Sequence, residues 1–244
     1  MNFSPSAAGQ LVYQLTRGTT TDVWTLDRLD AAPRQLTNDG VSGSPQITND
    51  GSKIMFTSRR DGGVPHVWMM DADGSNVHQV TRGKGEGLMA MAPDASWFLH
   101  ASGSNEVWRA TPAGQKTKFC DACFIVALSP DGQSIAYAYW KQEGARASRW
   151  LRVTSADGGN ARLDIAWSNG SQLRWTRTGD ALTYMRDVNG ATNIFVQPIG
   201  GGAGRQITTY KNGRIVSYAW LPDGRLILSR LDISQDAVLI TNFR

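Results

Sequence analysis

The chain has 244 residues, 41% of them hydrophobic, and 25 Lys and Arg against 21 Asp and Glu give it a net charge of +4. That length suits one all-β domain with a substantial core, and the hydrophobic fraction argues against disorder. The small positive excess does not indicate nucleic-acid binding. There is no apolar run of 18 residues and no apolar stretch near the N-terminus, so we expect neither a membrane span nor a signal peptide in this chain.

The predicted elements repeat six times, each time around an aromatic or apolar residue inside a β-rich run. The intervals between these anchors are 44, 40, 42, 45 and 44 residues, a period typical of four-stranded propeller blades. We expect the anchors to pack in the core between blades. They are Trp24, Trp68, Trp108, Trp150, Phe195 and Leu239.

Each repeat has the same parts in the same order. A turn such as TNDG (48–51), SPDG (129–132) or LPDG (221–224) predicts a hairpin between the first and second strands. The anchor strand and a second turn follow, and a short strand ending RQLT, HQVT or RQIT closes the repeat. The first repeat has SPSAAG and the third has APDA at the first turn, so they depart from the pattern.

These parts predict an all-β fold: a six-bladed β-propeller with four-stranded antiparallel blades, forming a single domain over 1–244. The sixth repeat reaches only its third strand, AVLIT, before the chain stops. We therefore expect an incomplete last blade, in a domain excised from a longer chain.

The phrases SPDGQSIAY, DADGSNVHQVT and LPDGRLILSR resemble the repeats of TolB-like six-bladed propellers. The last seventy residues are similar to the C-terminal propellers of bacterial Ser/Thr kinases and winged-helix signalling proteins. The resemblance covers the whole chain and is specific for the fold, because the shared motifs are turn and core positions. It implies a sensory or scaffold domain outside the cytoplasm.

A propeller has two faces, which we name by their connections. The turn face carries the turns inside the first and third hairpins, and the loop face carries the second-to-third-strand loops and the loops joining blades. The loop face usually surrounds the channel mouth and binds partners, so its aromatic and basic residues are candidate contacts for an acidic or extended peptide. The candidate partner-binding residues are Arg59, Arg60, Trp140, Lys141, Tyr210 and Arg214.

The residues that could bind metal or carry redox chemistry are few. Cys120 and Cys123 are compatible with reduced thiols, a local disulfide, or metal or redox chemistry, and the sequence leaves these open. His66, His78 and His100 are scattered, which weakens a metal-dependent lyase assignment. We predict no catalytic residues and no cofactor; the sequence permits a cation in the channel but does not select for one.

The sequence therefore predicts a non-catalytic domain of a bacterial signalling protein, a monomer that binds a protein or peptide at the channel mouth. One alternative is a propeller hydrolase or lyase with its active site in the central channel. Another is a periplasmic TolB-like scaffold, which would carry an additional N-terminal α/β domain.

Overall fold

The computed structural model describes residues 3–103, 106–168 and 170–231, in which all regular structure is β. Strands adjacent in the sequence pair antiparallel within each sheet. The strands are β1 (Phe3–Pro5), β2 (Leu11–Arg17), β3 (Thr20–Leu26), β4 (Arg34–Gln35), β5 (Ser42–Ile47), β6 (Lys53–Ser58), β7 (His66–Asp71), β8 (His78–Gln79), β9 (Glu86–Met91), β10 (Phe98–Ser102), β11 (Glu106–Ala110), β12 (Lys116–Asp121), β13 (Cys123–Leu128), β14 (Ser134–Glu143), β15 (Arg146–Ser155), β16 (Leu163–Ala166), β17 (Gly170–Trp175), β18 (Ala181–Val188), β19 (Ala191–Pro198), β20 (Arg205–Gln206), β21 (Arg214–Trp220) and β22 (Leu226–Leu231).

The strands form five complete four-stranded blades and a two-stranded sixth sheet, β21 with β22. This confirms the predicted all-β propeller with four-stranded antiparallel blades and an incomplete last blade, although the described residues contain five complete blades. The third strand predicted for the sixth blade, around Leu239, lies outside the described residues. The sixth sheet contacts the first blade through β21 and β1, so the six sheets close into a ring at this contact. An apolar cluster that includes Phe3, Leu11 and Ala219 fills this junction.

The hydrophobic core lies between neighbouring blades. Leu151 of the fourth blade and Leu182 of the fifth are fully buried in one such cluster. Met55 of the second blade and Phe98 of the third are fully buried in another. One blade cannot cover both of its faces, so each depends on its neighbours for burial.

The first hairpin turns show why Asp and Gly recur. In the second blade, the Asp50 carboxylate accepts hydrogen bonds from the Thr48 hydroxyl (2.6 Å) and the Ser52 amide (3.0 Å). Gly51 then adopts a φ of 75°, which costs glycine little. The third blade, which departs from the motif, makes the same turn with Ala95 at a φ of 58°. The departure changes a residue and leaves the hairpin intact.

The closing Gln-x-Thr phrase ties the fourth strand to the third. The hydroxyl oxygens of Thr37, Thr81 and Thr208 accept hydrogen bonds, at 2.9, 2.9 and 2.8 Å, from the amides of the third strand. The preceding glutamine in each phrase donates its side-chain amide to the carbonyl of that threonine. The phrase repeats because each two-residue outer strand needs these extra bonds to stay attached.

Candidate functional site

A cavity of about 570 Å³ occupies the central channel and is lined by the innermost strands of all six sheets. Its lining comes from the C-terminal halves of these strands and the turns that follow them, among them Ser6, Asn49 and Pro130. Those turns belong to the turn face. The sequence analysis predicted a binding rim on the loop face; the described cavity lies toward the opposite face, so the loop-face rim stays a prediction.

Side chains in the cavity wall link adjacent blades. The Gln46 side chain donates to the Met89 carbonyl (3.0 Å) and accepts from the Met91 amide (2.8 Å). The Trp175 indole donates to the Ala127 carbonyl of the fourth blade at 3.0 Å. These bonds satisfy polar groups that the packing of the inner strands would otherwise leave without a hydrogen-bond partner.

The described wall of the cavity carries positive charge only. Among the described lining residues the ionisable side chains are Arg174 and Arg177, and none is an Asp, Glu, His or Cys. Burial lowers the pKa of the Arg174 guanidinium, with a small opposing effect from Tyr218. By surface area Arg174 is only partly buried, because it faces the cavity, yet protein surrounds it on its other sides. Sequence reasoning missed both arginines.

On the loop face, the fourth blade carries a long hairpin where a loop was predicted. Strands β14 and β15 pair from Ser134–Ser155 out to Glu143–Arg146, so that only two residues form the turn. The strands continue four pairs beyond the anchor pair Tyr139–Trp150, as the equivalent strands of the first and fifth blades do, whereas those of the second blade continue two pairs beyond Phe56–Trp68. Those four pairs span about 13 Å.

Trp140 lies on this hairpin and 45% of its surface is exposed. Its ring centroid is 5.8 Å from that of Phe124. The Arg149 guanidinium, on the paired strand, lies 5.1 Å from both ring centroids. The neighbouring residues therefore hold the tryptophan in place while leaving much of its ring available.

A disulfide joins Cys120 to Cys123 next to this cluster. It closes the connection between β12 and β13, and Phe124 follows it directly. Of the alternatives that the sequence left open, the structure contains the local disulfide.

The anchors of the five complete blades share a feature that the sequence analysis did not predict. The four tryptophan anchors are partly buried, and a basic side chain lies against the ring of each of the five. The distances from cation to ring centroid are 5.3 Å for Arg17 on Trp24, 4.9 Å for Arg60 on Trp68, 5.4 Å for Lys116 on Trp108, 3.5 Å for Lys141 on Trp150 and 4.0 Å for Arg186 on Phe195.

This arrangement gives Arg60 and Lys141 intramolecular roles. Arg60 also pairs with Asp39 at 2.6 Å, and Lys141 pairs with Glu143 at 3.2 Å. Their long stems cover the aromatic rings and their charges are partly neutralised.

The other predicted residues are also engaged within the chain. Arg59 donates to the Gly63 carbonyl of its own loop (3.1 Å), and Arg214 lies 3.7 Å from Asp187. Tyr210 has the Arg230 guanidinium 4.6 Å from its ring centroid. Tyr210 and its neighbours in the fifth blade line a second cleft of about 310 Å³ on the loop face.

The histidines are separated from one another. Nδ1 of His66 lies 2.9 Å from the Glu86 carboxylate, in a buried pair. His100 is buried, and this lowers its pKa; His78 is exposed. Within residues 3–103, 106–168 and 170–231, no group of three or more His, Cys, Asp or Glu is placed to hold a metal ion. The same residues contain no helix long and apolar enough to cross a membrane.

Solved structures share this fold, while no family model matches the sequence. A protein assigned as TolB from Agrobacterium tumefaciens superposes with a TM-score of 0.71 at 14% identity, covering 95% of this chain and 90% of that one. TolB from Acinetobacter baumannii gives 0.68 at 16% identity, covering 94% of this chain and 62% of that one. An oligogalacturonate lyase in complex with manganese gives 0.62 at 14% identity, with coverage of 93% and 68%.

The chain therefore has a TolB-like β-propeller fold, which it shares with proteins of different activities. At these identities the similarity concerns the fold alone. The chain spans about three fifths of the length of the Acinetobacter protein. The narrower resemblance to propellers of kinases and winged-helix signalling proteins stays a prediction.

Proposed function

We propose that this chain is a non-catalytic binding propeller whose loop face captures an acidic, extended segment of a partner protein. The observation that carries the proposal is the exposed Trp140 on the hairpin of β14 and β15, packed against Phe124 and Arg149. Aromatic residues that are fixed in position and partly exposed are typical centres of binding energy in protein interfaces.

The charge around Trp140 supports an acidic partner. Residues 140–149 contain Lys141, Arg146 and Arg149 against Glu143, a net charge of 3 − 1 = +2. Arg146 and Arg149 are exposed, and Lys141 already interacts with Trp150 and Glu143. Arg149 pairs with Trp140 across the hairpin and lies on the same face, where its charge would attract carboxylates of an extended peptide. Arg146 pairs with Glu143 on the other face of the hairpin.

We further propose that the domain belongs to a bacterial signalling protein and acts as a monomer outside the cytoplasm. A local disulfide is consistent with an oxidising compartment. The other candidate contacts, Arg59, Arg60, Lys141, Tyr210 and Arg214, have second place, because each already has a partner within the chain.

A selection from a displayed library of random peptides tests this proposal. The immobilised chain should enrich peptides that combine an aromatic or apolar residue with several Asp or Glu. Their affinity should fall roughly 30-fold for Trp140→Ala, the scale of a central interface residue. Affinity should also fall with rising salt, because the carboxylates face exposed cations.

Leu29→Ala is the matched control. Leu29 is an exposed apolar residue, at 41%, between β3 and β4 on the turn face. It should leave the selected peptides bound. Peptides that bind Trp140→Ala as well as the unchanged chain, or a selection that enriches nothing, would refute the proposal.

A further inference from the structure

The channel cavity carries a second inference, independent of the loop face. At about 570 Å³ it falls within the range of sites for small organic ligands. Much of its wall is apolar, with Met89, Met91, Trp175 and Trp220 contributing. A ligand of moderate size could therefore bury apolar surface against side chains from several blades.

The internal repeats single out Arg174 on this wall. The hairpin registers and the turns that follow align Arg174 of β17 with one position in each inner strand. The residues at that position in the other five blades are neutral: Ser4, Gln46, Ala90, Ala127 and Ala219. The fold therefore does not require an arginine there, and the three alanines leave space beside it.

Arg174 also has no hydrogen-bond acceptor or counter-ion among the described residues. No hydrogen bond or ion pair joins its side chain to them, and its Nε is buried without an acceptor. By contrast, Arg152 in the fourth blade contacts the Asp164 carboxylate at 2.6 Å. An arginine that is desolvated without a counter-ion costs folding free energy. We therefore expect this cation to lower the stability of the fold.

The neighbouring groups nevertheless hold the side chain in place. The Arg174 guanidinium lies 5.8 Å from the Tyr218 ring centroid. The Tyr218 hydroxyl donates to the Gln172 carbonyl at 3.0 Å and lies 3.1 Å from the Thr183 hydroxyl. Gln172 has a φ of 49° within a bulge of β17, which sets the direction of the strand just before Arg174. A cation positioned in this way is preorganised for a ligand.

We propose that the channel cavity binds an organic carboxylate, with its carboxylate on the Arg174 guanidinium and its apolar body against the channel wall. The second cation, Arg177, is exposed in the following turn and would draw the anion toward the cavity. A single deep guanidinium, in a wall of which about half is apolar, suits one negative charge on an apolar body better than a phosphate dianion.

A titration of the 244-residue chain with phenylacetate, followed by calorimetry and thermal unfolding, tests the assignment. The probe should bind and raise the unfolding temperature. Its neutral analogue phenylacetamide should bind at least about tenfold more weakly, because it lacks the charge that the guanidinium pairs with. Inorganic phosphate is the second comparison and should not compete.

Two substitutions borrow residues from the equivalent position of other blades, which should allow folding: Arg174→Ala and Arg174→Gln. Each should weaken phenylacetate binding about tenfold or more. Each should also raise the unfolding temperature of the ligand-free chain, because an uncompensated charge has been removed. A merely structural arginine would give the opposite change in stability. Arg177→Gln should reduce affinity by only a few-fold, in a salt-dependent manner.

The proposal is overturned if phenylacetate and phenylacetamide bind alike, or if neither binds at millimolar concentration. Equal affinity in Arg174→Gln and the unchanged chain would overturn it as well. Binding of phosphate in place of the carboxylate would reject the ligand class. None of these results depends on Trp140, so this proposal and the proposed function can fail separately.

Discussion

Nδ1 of His66 lies 2.9 Å from Oε2 of Glu86, and both residues are almost completely buried where the second blade meets the third. The same carboxylate oxygen accepts a hydrogen bond from the Gly83 amide at 3.1 Å. The Glu86 amide in turn donates to the Pro65 carbonyl. Glu86 therefore contacts the loop before β7 through its amide and the loop before β9 through its carboxylate.

Glu86→Ala should lower the free energy of unfolding by about 3 kcal/mol, because it leaves a buried imidazole and a backbone amide without their acceptor. Glu86→Gln keeps an acceptor oxygen and should lose about 1 kcal/mol. Denaturant unfolding measures both values. Glu143→Ala is the control, since its pair with Lys141 is exposed and should contribute less than about 0.5 kcal/mol. Equal losses for Glu86→Ala and Glu143→Ala would contradict this account.

A second network, which is half-buried, should make stability depend on pH. Asp164 accepts hydrogen bonds from Tyr139 (2.9 Å) and Arg152 (2.6 Å). Burial raises the pKa of the Asp164 carboxyl, but these two bonds outweigh it and hold the pKa below the ordinary value of 3.8. Burial, helped by the bond to Asp164, raises the pKa of Tyr139 to about 12.

Asp164→Asn should therefore cost about 1–2 kcal/mol at neutral pH, allowing for partial exposure of the pair. A carboxyl with a lowered folded-state pKa stabilises the fold above its unfolded value and loses that contribution as the pH falls through the folded value. The difference between the two chains should shrink below about pH 3.8. Unfolding measured across the acid range checks this, and a difference independent of pH would refute it.

At high pH, the ionisation of Tyr139 determines how the stability changes with pH. Its raised pKa gives stability that is complete below the ordinary value of 10.0 and declines as the pH rises toward about 12. Tyr139→Phe cannot ionise there, so the unchanged chain should lose stability relative to this variant across that interval. Parallel stability curves for the two chains would show that Tyr139 ionises normally.

The repeated parts of the fold could be predicted from sequence because each depends on local chemistry. The Asp50–Gly51 turn needs a hydrogen-bond acceptor and a residue that tolerates positive φ, and the residue types in the sequence indicate both. The phrase ending at Thr37 likewise forms its bonds within one blade. The long hairpin around Trp140 was mistaken for a loop, because its basic and small residues lack the alternation typical of strands.

The candidate sites were harder to predict, because they depend on which blades face each other. Arg60 and Lys141 looked like surface cations, yet each covers the anchor of its own blade. Arg174 had a signal that went unused: it stands between Leu173 and Trp175 in an innermost strand, where other repeats place neutral residues. Alignment of the repeats at single-residue level would have found it.

Close packing between the fourth and fifth blades gives a sharper test. A Cβ added at Gly170 would collide with the indole of Trp167, which is buried. Gly170→Ala should therefore cost about 1–3 kcal/mol through overpacking. Gly87→Ala is the matched control in another inner strand, since a Cβ there meets nothing within 4 Å. Thermal unfolding of both variants decides the point, and an unchanged Gly170→Ala would mean that the indole moves without cost.

Loss of the Cys120–Cys123 disulfide should affect both the stability of the chain and the loop face. Cross-linking residues three apart constrains a very short loop, so the double substitution of Cys120 and Cys123 by Ser should cost about 2 kcal/mol. Reductant should lower the stability of the unchanged chain in the same direction and leave the double variant unaffected. Phe124 follows Cys123 and packs on Trp140, so loss of the bond should also increase the mobility of that ring. Faster fluorescence quenching of Trp140, isolated by comparison with Trp140→Phe, would reveal this. Unchanged quenching together with lowered stability would confine the disulfide to a structural role away from the proposed binding face.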